Sequence, residues 1–337
     1  MRTLTRRAAR VAVCRDEART QGEERGVIRV EGLRAGYRAG FRRAWREVLR
    51  GVSFHVPRGA VAGYLGVNGA GKTTTLKVLA GVNPLSGGAA AIGGDPCGTR
   101  AAQARLGFLP EAPYFYEGMS GRELLLLLGR LSGLARAALE KRSDELLEQV
   151  GLERGARDQP VRTYSKGMRQ RLGLAQALVL DPELLLLDEP LDGLDPVGRL
   201  ELRELIARQG RAGKTVFFST HVLADVEAIC DHLVVLDGGA AAWEGAPSDL
   251  VAGTNPAVDL ELSGLAAEAL EALAGVAGAR PEPRGQGRWE LTCPDPEAAN
   301  RALDAVRAAG GQVLSLSPQR AGLEELFLSR FRAKAGA

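Results

Sequence analysis

The chain has 337 residues, 45% of them hydrophobic and 25% charged, with a formal net charge of +3 at pH 7. That length accommodates two domains, and a nearly balanced charge singles out neither nucleic acid nor lipid as a partner. No run of about eighteen apolar residues occurs, so no membrane span is expected. The four cysteines and three histidines lack metal-ligand spacing, which leaves the cysteines as free thiols of a reducing compartment.

Residues 1–26 carry arginines but no apolar core, so they read as a disordered basic tail rather than a secretory signal. "VIRVEGL" (Val27–Leu33) and "VLRGVSFHV" (Val48–Val56) alternate as strands do, and "RGAVAGYLGV" (Arg58–Val67) supplies a third. Helical patterns then alternate with apolar strands. "ELLLLLGRLSGL", "SDELLEQVGL", "RLELRELIARQG" and "VLADVEAICDHL" are the helices, and "LLLLD", "TVFFS" and "VVLDGG" the strands. Such alternation predicts a mainly parallel sheet with helices on its faces. "GAPSDLVAGTNPA" is rich in Gly, Ala and Pro, so residues 246–256 read as a linker. Beyond it, residues 257–337 give the order strand–helix–strand–strand–helix–strand, a split βαβ unit and so a small α+β domain.

Chemistry concentrates in three stretches. "GVNGAGKTTT" (Gly66–Thr75) fits the Walker A pattern G-x-x-x-x-G-K-[ST] at Gly66, Gly71, Lys72 and Thr73, between a predicted strand and a predicted helix. Asn68, Gly69, Ala70, Gly71 and Thr74 complete a loop whose backbone amides turn toward phosphates. Lys72 places its charge on the β/γ oxygens, and Thr73 offers a hydroxyl to Mg²⁺. "LLLLDEP" (Leu184–Pro190) is a buried strand ending in two acids. Asp188 suits a water-bridged Mg²⁺, and Glu189 is placed to polarise a water attacking the γ-phosphate. The third stretch, "TYSKGMRQRLGLAQALVL", opens a helix with Ser165 and Gly167 amid Lys166, Arg169 and Arg171, a second anion cradle.

Walker A, the Ser165–Met168 segment and "LLLLDEPLDGLDP" follow one another in the order found in ATP-binding-cassette (ABC) ATPases, which residues 27–245 resemble. The resemblance implies an ABC-type P-loop NTPase fold, with a β-subdomain and a helical subdomain, that binds and hydrolyses ATP with Mg²⁺. It also implies why two cradles exist. In that family the signature loop, usually LSGGQ, caps the γ-phosphate held by a second cassette, so Ser165 and Gly167 would act in trans within a homodimer or cassette–cassette dimer. Other positions carry over singly. Tyr37 resembles the aromatic that stacks on adenine, with Phe41 its rival. Glu111 in "GFLPEAP" stands where the family has the Q-loop glutamine, and a carboxylate there can still accept from Mg²⁺-bound water. Asp195 resembles the D-loop aspartate, or is only a helix N-cap before Pro196. His221 matches the switch histidine that contacts the γ-phosphate.

Three departures stand out: Val67 at a usual proline, Lys166 at a usual glycine and Met168 at the usual glutamine. With Glu111 and the ending "GLEELFL", they resemble ATPases of bacterial exporters whose permease is a separate polypeptide. This implies a peripheral subunit at the cytoplasmic face of the membrane, docking through the segment from Glu111 to Gly151. The C-terminal domain would then serve dimerisation or regulation. The alternative is a non-transport ABC ATPase acting on nucleic acid or the ribosome, to which the basic cluster Arg38, Arg42, Arg43, Arg46 and Arg50 points. Against it, the roughly ninety residues between Walker A and signature leave no room for a long coiled coil, and only one cassette is present. A P-loop kinase or GTPase would give Ser165–Met168 no purpose.

Overall fold

A computed structural model describes residues 27–39, 44–251, 257–278 and 280–318. The expected basic tail, Phe41, Arg42, Arg43 and the terminal "GLEELFL" lie outside the described residues. The chain divides into two compact units between Gly245 and Ala246.

The first unit holds two sheets. One is antiparallel, in the order β2 (Ala44–Val56), β1 (Ile28–Ala39), β4 (Gly87–Ile92), β5 (Asp95–Pro96). The other runs β10 (Ala240–Gly245), β9 (His232–Asp237), β3 (Val61–Leu65), β8 (Thr215–Thr220), β7 (Leu184–Leu187), β6 (Leu106–Leu109). All its neighbours are parallel except β10, which turns back against β9. Strands β3, β7 and β8 are buried at every position. That burial is the reason β3 and β7 are unbroken apolar runs, while β8 keeps Val216–Phe218 apolar between its hydroxyl residues.

Successive residues of β7 serve opposite faces. Leu185 and Leu187 join a core with Leu172, Leu174, Leu205 and Ile206 of the helices, while Leu184 and Leu186 join Tyr64, Leu76, Val30, Leu49 and Phe54 on the side of the antiparallel sheet. The sheet is therefore clamped between helices and strands, and its carboxyl-terminal loops are fixed from both sides. A helical layer follows, with helices Gly121–Leu131, Arg136–Gln149 and Lys166–Leu178. The first starts at a full capping box, Ser120 with Glu123, which satisfies two helix-end amides at once.

The second unit has the sheet order β12 (Glu282–Gly285), β13 (Arg288–Cys293), β11 (Val258–Ser263), β14 (Gln312–Pro318), all antiparallel. Helices Ala267–Ala277 and Pro296–Ala308 complete the split βαβ order, with a core of Val258, Leu260, Leu262, Leu273, Leu291 and Val306. The expected linker differs from what is found. Its first half is a short helix, Pro247–Val251, closed by reciprocal bonds between Ala246 and Asp249 and anchored by the buried Leu250.

Candidate functional site

Four neighbouring strands, β3, β8, β7 and β6, point their carboxyl ends the same way, where open parallel sheets bind ligands. From β3 the chain enters Gly66–Gly71 and then helix Lys72–Leu79. The turn needs glycine at two places. Gly69 and Gly71 take φ of 81° and 114°, and a Cβ on Gly71 would lie 2.6 Å from Leu49 Cδ2. Asn68 is exposed and Ala70 buried; Thr74, on the first turn of the helix, is partly exposed.

Lys72 opens that helix, and its side chain is only 6% exposed. Its Nζ donates to Gly66 O at 2.6 Å and pairs with Glu189 Oε1 at 3.1 Å. Glu189 holds His221 Nδ1 with its other oxygen, Oε2, at 3.1 Å. One carboxylate thus links the loops after β3, β7 and β8. Its backbone pays no glycine-like discount: φ is 45°, a left-handed conformation costing a non-glycine residue about 1 kcal/mol or more. The Glu189 N–H is anchored by Ser219 Oγ at 2.8 Å.

Asp188 sits beneath, fully buried. Its Oδ1 accepts from Ser219 Oγ at 2.8 Å and from Thr73 Oγ1 at 3.1 Å, while Oδ2 has no hydrogen-bond partner among the described residues. Burial pushes the Asp188 carboxyl above the ordinary carboxylate range. The Ser219 and Thr73 bonds oppose that shift, and the nearby charges of Glu111 and Glu189 reinforce it. A buried acid with one bare oxygen, a hydroxyl at hand and a second carboxylate nearby is a donor set fit for a hard, oxygen-seeking cation. Glu111 itself is exposed beyond β6, its carbonyl accepting from Gln170 Nε2 at 3.4 Å.

The other expected residues are not drawn into this cluster. Tyr37 stands 49% exposed near the end of β1, opposite Arg46. Ser165 caps its own helix, its Oγ accepting from Met168 N at 3.2 Å, and Gly167 borders Leu194. Lys166 reaches sideways to Asp192 at 3.2 Å. Asp195 caps helix Pro196–Arg211 through Gly198 N at 3.2 Å. Sequence reasoning missed Ser219, which joins Asp188 to Glu189. Its only signal was a hydroxyl directly after the apolar run Val216–Phe218, two residues before His221.

A sequence model described as ABC transporter matches residues 49–192. An uncharacterized ABC transporter ATP-binding protein of Nostoc sp. is 40% identical over 84% of this chain and 83% of its own length. A Nod factor export ATP-binding protein I of Cupriavidus pinatubonensis is 42% identical over 60% of this chain and 63% of its own. A solved ATP binding subunit of an ABC transporter is 34% identical, with a TM-score of 0.59 over 66% of this chain and 91% of that one.

Proposed function

The chain belongs to the ABC transporter ATP-binding proteins, ATPases that power transport through a separate permease, and from that premise we propose how its residues divide the work. The observation that carries the reading is the chain of contacts Lys72–Glu189–His221 above the Asp188–Thr73 pair, at the ends of adjacent parallel strands. Gly66–Thr74 wrap the triphosphate of ATP, and Lys72 meets its β/γ oxygens. Tyr37 stacks on the adenine. Asp188, Thr73 and Glu111 would hold Mg²⁺, whose chemistry is to neutralise charge on the phosphate oxygens.

Lys72 pairs with Glu189 and offsets its charge. A γ-phosphate that takes over the ammonium leaves Glu189 an uncompensated base, ready to accept a proton from the attacking water. His221, held beside Glu189, then contacts the γ-phosphate. Ser165 and Gly167 supply donors to the ATP of a second cassette, and Asp195 answers across the same dimer, as well as capping its helix.

Among the described residues no helix is long and apolar enough to cross a membrane. The proposed seat is the cytoplasmic face, held by a separate permease. Docking falls on the segment from Glu111 to Gly151, where Tyr114 and Tyr116, in the loop before helix Gly121–Leu131, and Leu131 at its end are 93%, 64% and 76% exposed. The proposal of export rests on the Cupriavidus relative, which its name makes an export ATP-binding protein. Detergent extraction of membranes with the tagged chain tests this: a polytopic membrane protein should co-purify in fixed ratio. An active ATPase recovered free of any membrane protein would overturn the docking.

A further inference from the structure

Below the cluster lies a second set of charges that the chemistry just described does not use. Asp225 is fully buried in the first turn of helix Leu223–Ile229, four residues after His221. Its carboxylate is gripped in two-pronged fashion by Arg199, Nε to Oδ1 at 2.9 Å and Nη2 to Oδ2 at 2.5 Å, with Arg203 Nη1 3.8 Å from Oδ1. Arg199 belongs to the first turn of helix Pro196–Arg211, whose cap is Asp195. So the pair joins the helix that follows β7 to the helix that follows β8.

The connection continues to the histidine. Thr220 Oγ1 donates to Asp225 Oδ2 at 3.4 Å and accepts from Val222 N at 3.0 Å, so the residues on both sides of His221 are bound to one hydroxyl. Asp225 N also donates to Val222 O at 3.2 Å. Thr220 O meanwhile accepts from Gly66 N, at the mouth of the phosphate loop, at 3.4 Å. His221 itself is 40% exposed at its side chain and makes its polar contact with Glu189. Its placement is therefore set by the backbone on either side. Arg199 is held more firmly charged, chiefly by its bonds to Asp225, with burial opposing and the charges of Asp225, Asp192 and Glu189 adding to it.

We propose that Arg199 and Asp225 are positioning residues that act through Thr220 to hold His221 against Glu189, and that they tie this placement to the helix capped by Asp195. The proposal rests on the ATPase reading of the site given above. A bidentate guanidinium–carboxylate pair suits the task because it fixes orientation as well as distance, which a lysine could not do. Moving the Asp195 helix would shift Arg199, and the switch loop with it.

A double-mutant cycle on the full chain tests this. Asp225→Asn should lower kcat for ATP hydrolysis about tenfold or more, toward the roughly hundredfold cost of an ångström of misplacement, with KM for ATP within about twofold. His221→Ala should lower kcat at least as far. Because Asp225 acts through His221, adding Asp225→Asn to His221→Ala should cost less than about twofold further. A merely structural role would instead add its full loss in either background. If Asp225→Asn does not fold, Arg199→Lys carries the same cycle, since it keeps the charge and loses the fork. Independent, multiplicative losses overturn the clasp alone, and so does an Asp225→Asn that hydrolyses normally. A fully active His221→Ala overturns the clasp together with the reading of His221 on which it rests.

Discussion

Within one chain the two anion-facing loops are in different states. At the phosphate loop, Lys72 and Glu189 are almost wholly buried and meet each other, and Asp188 is bonded to Thr73 and Ser219. At the signature loop, Ser165 caps its own helix, and Lys166 and Asp192 pair with side chains 53% and 46% exposed. A buried pair that loses one partner strands a charge, at a cost of about 3–5 kcal/mol. An exposed pair contributes about 0–1 kcal/mol and is readily exchanged for another partner. The first loop is thus internally committed, whereas the second holds exposed charges that are readily re-paired, which agrees with the proposal that it meets another cassette.

The sharpest way to break this contrast is Lys72→Ala. It removes the cation for the β/γ phosphates and leaves Glu189 with His221 as its remaining side-chain partner. Titration calorimetry with Mg-ATP should show no measurable binding. Full ATPase activity in this variant would remove the phosphate-loop reading altogether.

Glu189→Gln acts on the same buried pair more gently. The amide keeps the shape but accepts a proton poorly, so hydrolysis should fall about 10²–10⁴-fold with ATP binding intact. The closed dimer should then outlive its normal turnover and appear by light scattering only with Mg-ATP. A variant that stays monomeric, or hydrolyses normally, contradicts the base role.

Ser165→Arg probes the open loop. ATP binding to each monomer should be spared while hydrolysis fails, since donors from across the interface are each worth roughly 3–4 kcal/mol by analogy with oxyanion donors. A mixed dimer places the loop in trans or in cis. Pairing a Ser165→Arg chain with a Lys72→Ala chain puts both lesions in one site and leaves the other whole. Placing both changes on one chain beside a wild-type partner damages both sites. The first pairing should keep more activity, and the reverse order would assign the signature to its own chain's ATP.

How much of this was legible in the sequence follows from what each residue type must do. Glycine in the phosphate loop, lysine on phosphate and acids at a strand end are dictated by charge and backbone geometry, so Gly71, Lys72, Asp188 and Glu189 could be read from local spacing. The apolar run Leu184–Leu187 likewise identified a strand buried on both faces. Ser219, Arg199 and Asp225 could not be read this way. They are common residue types, and their partners lie 26 to 31 residues away, brought near only by the sheet. Strand β12 carries no such mark of its own, because all four of its residues are exposed and show no alternation. The helix Pro247–Val251 was hidden by Gly, Ala and Pro that signal a linker, while its anchor is the single buried Leu250.

The smallest effect is expected from removing the second unit. The residues proposed to meet phosphate lie before Gly245, and the second unit has a core of its own. A chain ending near Pro247 should therefore bind ATP within about twofold of the full chain, as expected where two parts act independently. The position of the cut matters, because β10 belongs to the first unit. Glu244 on that strand accepts from His55 N at 3.2 Å, pairs with His55 Nδ1, and stands 3.6 Å from His232 Nε2. A chain ending at Asp237 loses these contacts along with the pairing of β10 to β9, and leaves β9 as a bare edge. Its thermal midpoint should fall well below that of the chain ending near Pro247. If the longer truncation folds and yet binds no ATP, the second unit contributes to the site and the boundary is misplaced. If instead it binds ATP but no longer dimerises with Mg-ATP, the second unit is what holds two open signature loops in reach of each other's nucleotide.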